Sequence, residues 1–289
     1  MAVIEIKKLN KYYGKHIGIQ DVTFSVKKGE VFGFVGPNGA GKSTTIKILM
    51  GFIFAQGGSS SIENLDVAKD TMKIKTFTGY VPSDVRLYPN MKVKELLKMN
   101  ANFYEGEYSS ELKRLIDLFQ IDENKHFHEL STGNKKKVSI VCALMANPKV
   151  IILDEPTNGL DPVMQRLLFE ELHRRTKIGA TVLLSSHNLS EVGEYCDRVA
   201  FIKDGSIIKV TDLSKENKPQ KIVIINGGEK NIPDGFNLIE TDGKKRKFRT
   251  TLVGKKLLQS ISEIAPADFT VQNESMEEYF WNLYGKENI

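Results

Sequence analysis

Gly36-Pro37-Asn38-Gly39-Ala40-Gly41-Lys42-Ser43-Thr44 follows the apolar run Val31-Phe32-Gly33-Phe34-Val35 and precedes Thr45-Ile46-Lys47-Ile48-Leu49-Met50. This order predicts a buried strand, a glycine-punctuated turn and a helix start. Glycines at 36, 39 and 41 let the backbone fold around an anion with no side chain in the way. Successive N–H groups and the helix N-terminus then converge on one phosphate chain. Gly36, Asn38, Gly39, Ala40, Gly41, Thr44 and Thr45 are candidate contacts along that cradle. Lys42 adds a mobile positive charge for the β and γ phosphates, and the Ser43 hydroxyl is placed to ligate Mg²⁺. A chance match in a glycine-containing turn is the alternative, and the flanking strand and helix argue against it.

Working outward, the chain has 289 residues, 40% apolar and 27% charged. That length suits one large α/β domain with a small appendage. No stretch approaches the ~20 uninterrupted apolar residues of a membrane span. The start, Met1-Ala2-Val3-Ile4-Glu5-Ile6, lacks the basic head, long apolar middle and small-residue cleavage site of an export signal, so a cytoplasmic location is expected. Cys142 and Cys196 have no metal-like spacing and read as buried reduced thiols. A net charge of +5 suits phosphate ligands and anionic surfaces equally.

Alternation in Val3–Ile6 and Gly18–Val26 predicts half-exposed antiparallel strands, with turns at Gly14-Lys15 and Lys28-Gly29. Three later runs, 31–35, 150–153 and 181–184, are continuously apolar and suit central parallel strands covered on both faces. Between the first two, Val93, Leu96, Leu97, Ala101 and Tyr104 repeat at helical spacing. Leu112, Leu115, Ile116 and Phe119 do so again after the capping candidate Ser110. A mostly helical insertion is therefore expected between the phosphate loop and the second core strand. A helix capped by Asp161 with Pro162 in its first turn should bury Leu167, Leu168 and Leu172 and stop near Gly179. A strand-turn-strand pair is expected over 198–208. The composition then shifts at Ser214-Lys215-Glu216-Asn217-Lys218-Pro219, where a domain boundary is expected.

Beyond it, strands at 222–225 and 248–253, a helix at 255–264 and a terminal capping box at Ser275–Glu278 predict a small α/β appendage, the last helix presenting Met276, Tyr279, Phe280 and Leu283. Lys244-Lys245-Arg246-Lys247, after Asp242-Gly243, reads as a solvated hairpin turn rather than a lipid or nucleic-acid contact.

The second half of the candidate site is Val150-Ile151-Ile152-Leu153-Asp154-Glu155-Pro156. An apolar strand ending in two carboxylates delivers both to the C-terminal edge of a sheet, beside the phosphate loop. Asp154 can hold Mg²⁺ and Glu155 can orient and polarise an attacking water. By itself such a pair could cap a helix or turn; with the phosphate loop upstream the catalytic reading is favoured.

These motifs resemble those of the ATP-binding subunits of ABC transporters, over roughly residues 1–213. Besides the two Walker motifs, the chain carries Leu130-Ser131-Thr132-Gly133-Asn134 at the signature position, Asn158-Gly159-Leu160-Asp161 as the D-loop, His187 as the switch histidine, and Tyr13 as the aromatic that stacks on adenine. The resemblance implies a P-loop NTPase core with an antiparallel β subdomain and a helical subdomain over about 84–148, followed by an accessory domain at 214–289. It implies ATP and Mg²⁺ as ligands. It also implies a head-to-tail pair, homodimeric or mixed with a paralogue, in which Ser131 and Gly133 of one subunit meet the ATP of the other, with Asp161 of the D-loop a further nucleotide contact. Lys42, Glu155 and His187 would be catalytic, and Ser43, Asp154 and Ser83 would face the metal. Core packing of Tyr13 and a purely structural His187 are the competing readings. The family usually has glutamine where this chain has Ser83, and Thr132 and Asn134 replace the usual glycine and glutamine. The Lys135-Lys136-Lys137 run behind the signature reads as an exposed helix face.

The expected function is an ATPase subunit at the cytoplasmic face of the membrane, powering a separate transmembrane permease. The ending Ser275 to Gly285 resembles that of bacterial exporter ATPases for drugs, antibiotics, peptides or toxins. A non-transport relative acting on nucleic acid or ribosomes is the first alternative. Neither a tandem cassette nor a coiled-coil insertion is present for it, so no nucleic-acid partner is expected. The second alternative is a regulatory nucleotide-binding module with weak hydrolysis.

Overall fold

Two sequence periods, alternating at the N-terminus and continuously apolar in the middle, become two different sheets. The structure is a computed structural model and describes residues 1–104, 108–213, 220–228, 232–275 and 278. The chain divides into two compact units, Met1–Leu213 and Ser214–Ile289, each described by itself.

The first unit opens with β1 (Ala2–Tyr13) and β2 (His16–Lys27), an antiparallel hairpin that turns at Gly14, followed by the buried strand β3 (Val31–Val35) and α1 (Lys42–Leu49). Both hairpin strands run further than their alternation predicted, because β1 is hydrogen-bonded on both edges, to β2 and to β4 (Gly57–Ile62). Short β5 (Leu65–Asp66) completes this antiparallel sheet, in the order β2-β1-β4-β5. Then come α2 (Val67–Lys75) and β6 (Thr78–Val81). The insertion after the phosphate loop is therefore not mostly helical throughout. Gly57-Gly58-Ser59-Ser60-Ser61 has little strand propensity, and β4 exists because β1 offers it a partner edge.

The helical part follows β6, with α3 (Val93–Ala101), α4 (Ser109–Phe119) and α5 (Thr132–Leu144). Tyr108, not Ser110, occupies the N-cap of α4, and Ser110 sits inside the first turn. Tyr104 lies beyond α3 and meets the Tyr108 ring edge-on at 6.2 Å.

The chain then returns to the core through β7 (Val150–Asp154), α6 (Pro162–Lys177), β8 (Thr181–Ser186), α7 (Leu189–Tyr195), β9 (Arg198–Lys203) and β10 (Ser206–Asp212). The resulting six-stranded sheet has the order β10-β9-β3-β8-β7-β6 and is parallel except for the β9-β10 hairpin. Every residue of β3, β7 and β8 is buried, as continuous apolar runs require. α6 buries Leu168, Phe169 and Leu172, whereas Leu167 is only half-buried. Register decides what these strands deliver. Val35 pairs with Ser186, Asp154 with Ser185, and Val81 with Leu153, so the C-terminal ends of β3, β8, β7 and β6 lie side by side.

The second unit is an antiparallel sheet of β11 (Lys221–Asn226), β12 (Phe236–Asp242), β13 (Lys245–Thr250) and β14 (Asp268–Asn273), in the order β12-β13-β11-β14, with α8 (Gly254–Ile264). Leu257, Ile261 and Ile264, spaced on one helical face, pack with Val223, Ile225, Phe236 and Phe248. Asp242 pairs with Lys245, so the turn is Gly243-Lys244 and the remaining basic residues belong to β13. Ser275 and Glu278 exchange the reciprocal capping-box bonds, each 3.1 Å. Residues 214–219 and the apolar face of Met276, Tyr279, Phe280 and Leu283 lie outside the described residues.

Candidate functional site

Four adjacent strand ends supply the site, as open parallel sheets do. Beyond β3, Gly36 packs so tightly that a Cβ would lie 2.2 Å from the Ile202 carbonyl oxygen of β9. Gly39 and Gly41 have φ of 82° and 109°, the left-handed region that glycine enters without steric cost. Gly41 is the N-cap of α1, and no side chain caps that helix, so its first N–H groups are left for an external acceptor. The Ala40 carbonyl accepts the Gly205 N–H at 3.1 Å, anchoring the loop to the β9-β10 turn. Asn38 and Gly39 are exposed, and Ser43 and Thr44 are half-buried at the rim. Thr45 is fully buried and its hydroxyl donates to the Gly41 carbonyl at 3.0 Å, shoring the loop from below.

Beyond β7, Asp154 is fully buried. Its Oδ1 accepts the Ser185 hydroxyl at 2.6 Å, while Oδ2 has no hydrogen-bond partner among the described residues. A buried carboxylate oxygen left without a donor is costly, which is the condition a bound cation relieves. No cluster of three or more His, Cys, Asp or Glu that could hold a metal occurs among the described residues. One or two protein oxygens plus phosphate suit Mg²⁺ better than an all-protein cage, so the donor set fits that ion.

Glu155 adopts φ 50°, unusual for a side-chain-bearing residue and costing about 1 to 3 kcal/mol. Its N–H is held by the Ser185 carbonyl at 3.2 Å and the Ser185 hydroxyl at 3.0 Å. Its carboxylate lies between an ammonium and an imidazole. Lys42 Nζ is 3.2 Å from Oε1, an ion pair without hydrogen-bond geometry, and His187 Nδ1 is 2.8 Å from Oε2. Lys42 also donates to the Gly36 carbonyl at 2.7 Å and the Pro37 carbonyl at 3.2 Å, closing the loop on itself. Nothing in the residue order around Ser185 marks it for a role in the site. One hydroxyl that bridges Asp154 to the Glu155 backbone becomes visible only when β7 and β8 pair.

Tyr13 is 48% exposed, which removes core packing as its role. Its ring lies against Gly18, whose carbonyl in turn lies beside Gly41, and Lys11 Nζ is 5.6 Å from the ring centroid. The ring thus stands one residue's width from the phosphate loop, an open platform for stacking.

The signature residues lie on a separate helix start. Ser131 caps α5, accepting the Asn134 N–H at 3.3 Å. A Cβ on Gly133 would lie 2.3 Å from the Gly159 carbonyl, so signature and D-loop touch within one chain. Asp161 caps α6 through the Met164 N–H at 3.0 Å, and Thr157 donates to Glu191 at 2.9 Å. Ser83 presents its backbone carbonyl to Lys136 at 2.9 Å.

The lysine run behind the signature is not an exposed face. Lys136 and Lys137 are 2% and 9% exposed, because α5 packs between the core and the other helices rather than on the surface. Burial lowers the pKa of Lys136, and the charges of Asp154, Glu155 and Asp84 oppose that shift. Burial, reinforced by Asp154, pushes the nearby Tyr80 phenol up to about 12 and keeps it neutral.

Known proteins resemble this chain in sequence and fold. The sequence profile of the ABC transporter family matches residues 19–158. The linearmycin resistance ATP-binding protein LnrL of Bacillus subtilis is 34% identical over 219 residues, 73% of this chain and 70% of that protein. A Nod factor export ATP-binding protein I of Cupriavidus pinatubonensis is 28% identical over 305 aligned positions, covering 99% of this chain and 92% of its own. Among solved structures, an ATP-binding subunit of an ABC transporter superposes with TM-score 0.70 at 33% identity, over 73% of this chain and 90% of that one. A dimeric bacterial ABC transporter cassette superposes with TM-score 0.66 at 25% identity, over 73% and 98%. With a phosphate loop, paired carboxylates and a histidine meeting on one sheet edge, and with these relatives, the chain belongs to the ABC transporter family and is an ATP-binding ATPase cassette.

Proposed function

We propose that this ATPase powers export through a separate transmembrane permease, working as a pair of cassettes that share ATP. The observation that carries the hydrolytic part is the Glu155 carboxylate, buried and held between Lys42 and His187 at the ends of three neighbouring strands. Glu155 orients the attacking water and accepts its proton; Lys42 and the N–H groups of the loop hold the phosphate chain; His187 steadies the carboxylate from its exposed side. Ser43 and Asp154, with the Ser83 hydroxyl as a further candidate, would hold Mg²⁺, which supplies charge neutralisation on the phosphates when bound. Tyr13 stacks on the base. Ser131 and Gly133 complete the site of a second subunit, and Asp161 orders the seam through α6.

No helix among the described residues is long and apolar enough to cross a membrane. In this reading the translocation path is the permease's. The cargo read from the sequence is a drug, antibiotic, peptide or toxin, and the relatives named for linearmycin resistance and Nod factor export support a small molecule of the antibiotic kind. Glu155→Gln tests the reading: ATP binding is retained while turnover falls by roughly 10² to 10⁴, the scale of a lost general base. Sedimentation of that variant with ATP and magnesium should give a dimer. Equal hydrolysis by variant and parent refutes the role of Glu155, and a monomer under those conditions refutes the pair. Pull-down from solubilised membranes should recover a hydrophobic companion; recovery of nucleic acid instead would overturn export.

A further inference from the structure

We propose that Lys136 is a positioning residue for ATP hydrolysis, fastening the Glu155 peptide and the Pro82-Ser83 loop to one buried ammonium. This rests on Glu155 being the carboxylate that activates water. An ammonium has three N–H donors and no acceptor. Lys136 Nζ uses them on the carbonyls of Pro82 at 2.9 Å, Ser83 at 2.9 Å and Glu155 at 3.2 Å. The side chain is 2% exposed. Burying a cation this deeply is tolerated only when each donor is satisfied.

The Glu155 backbone is what needs holding. Its left-handed φ of 50° persists only while its surroundings over-determine it. Ser185 grips the N–H side twice. On the carbonyl side the partners are Lys136 at 3.2 Å and the Asn158 N–H at a longer 3.4 Å. Releasing Lys136 leaves the peptide free to relax toward an ordinary conformation, and the carboxylate then swings away from Lys42 and His187.

The same cation also ties down the loop after β6. The grip is on backbone carbonyls, so it does not depend on how far the Ser83 side chain can reach. Any partner that shifts residues 82–84 therefore pulls on the ammonium that aims Glu155. Lys136 itself projects from the first turns of α5, the helix that Ser131 caps, so the signature helix, the loop and the hydrolytic carboxylate share one fastening.

The test uses the full chain with ATP and magnesium and two substitutions of similar length, Lys136→Gln and Lys136→Met, which leave fewer donors and none. The expected result is a graded fall in kcat, up to ~10- to 100-fold in the methionine variant, the scale of a lost outer partner. Affinity for ATP, read by equilibrium titration, should stay within about twofold, since the fastening acts on chemistry rather than on binding. Hydrogen exchange at residues 83–85 should quicken in the same order. Unchanged kcat in both variants overturns the proposal, as does a fall in kcat matched by an equal loss of affinity. If the methionine variant does not fold by circular dichroism, the glutamine variant decides. Glu155→Gln is assayed beside them: if it hydrolyses ATP like the parent, the reading of Glu155 fails and takes this proposal with it. If it is inactive while both Lys136 variants keep parental kcat, only the present proposal fails.

Discussion

His187 Nδ1 lies 2.8 Å from Glu155 Oε2, while 3.2 Å from the other oxygen of the same carboxylate stands Lys42. The histidine side chain is 49% exposed and the carboxylate only 10%, so the imidazole forms the open edge of a buried acid. Nδ1 faces Glu155, which leaves Nε2 on the open side of the ring, toward the phosphate loop's ligand.

His187→Ala should therefore lower kcat about 10²-fold, at the low end of acid–base contributions, with a smaller change in ATP affinity. Phosphate release under single-turnover conditions measures the first and equilibrium titration the second. A loss confined to affinity would show that the ring binds phosphate without acting on Glu155.

Gly39 and Gly41 should respond differently to alanine, although both have positive φ. A Cβ at Gly39 meets nothing within 4 Å, whereas at Gly41 it would lie 2.6 Å from Ile19 Cγ2 and 2.7 Å from the Gly18 carbonyl. Gly39→Ala should cost about 1 kcal/mol, from backbone strain alone. Gly41→Ala adds overpacking and should cost about 2 to 5 kcal/mol in urea unfolding. Nucleotide affinity should fall with it.

Tyr13→Ala should weaken ATP binding by about 1 to 3 kcal/mol, the range of aromatic stacking on a base, and Tyr13→Trp should preserve it. Because the ring is exposed, the alanine variant should unfold within about 0.5 kcal/mol of the parent. A large stability loss would instead mark the ring as a packing element.

A buried ion-pair network joins α4 to α6. Arg175, 1% exposed, contacts Glu171 at 2.7 Å and Glu111 at 2.6 Å, and Arg114 and Arg174 complete the cluster. Burial tends to raise the pKa of Glu171, but hydrogen bonds from Arg174 and Arg114 and the charge of Arg175 reverse this and leave it lowered. Glu111 is lowered as well, burial being outweighed by Arg114, Arg175 and Arg174. A carboxylate with a depressed folded-state pKa stabilises the fold fully above its unfolded value, about 4.3, and loses that contribution as pH falls through the folded value. Urea midpoints should thus be flat on this account from neutrality to about pH 5 and decline below it. Arg175→Met removes one partner each from Glu171 and Glu111, which keep Arg114 and Arg174, and should cost about 1.5 to 3 kcal/mol, the scale of a lost hydrogen bond to a charged group, flattening the acid decline.

The phosphate loop, both carboxylates, the histidine and the strand-helix punctuation around them could be read from residue order, because each depends on local chemistry. Glycine spacing, an apolar run ending in acids, and Asp161-Pro162 at a helix start carry their meaning wherever they occur. The expected fold class and family followed from those motifs in sequence order. What residue order could not convey was contact between distant segments. The glycine- and serine-rich β4 and the short β6 are strands because of the edges they pair with, and β12 and β14 likewise depend on their sheet. Ser185 bridges Asp154 and Glu155 only because β7 and β8 are in register. The lysine run after the signature looked like a solvated face, since charge alone predicts exposure. Folding instead sets carbonyls from 82, 83 and 155 around Lys136, and a hydrogen-bonded cavity for a cation is created by three segments meeting, which no single stretch of the chain encodes.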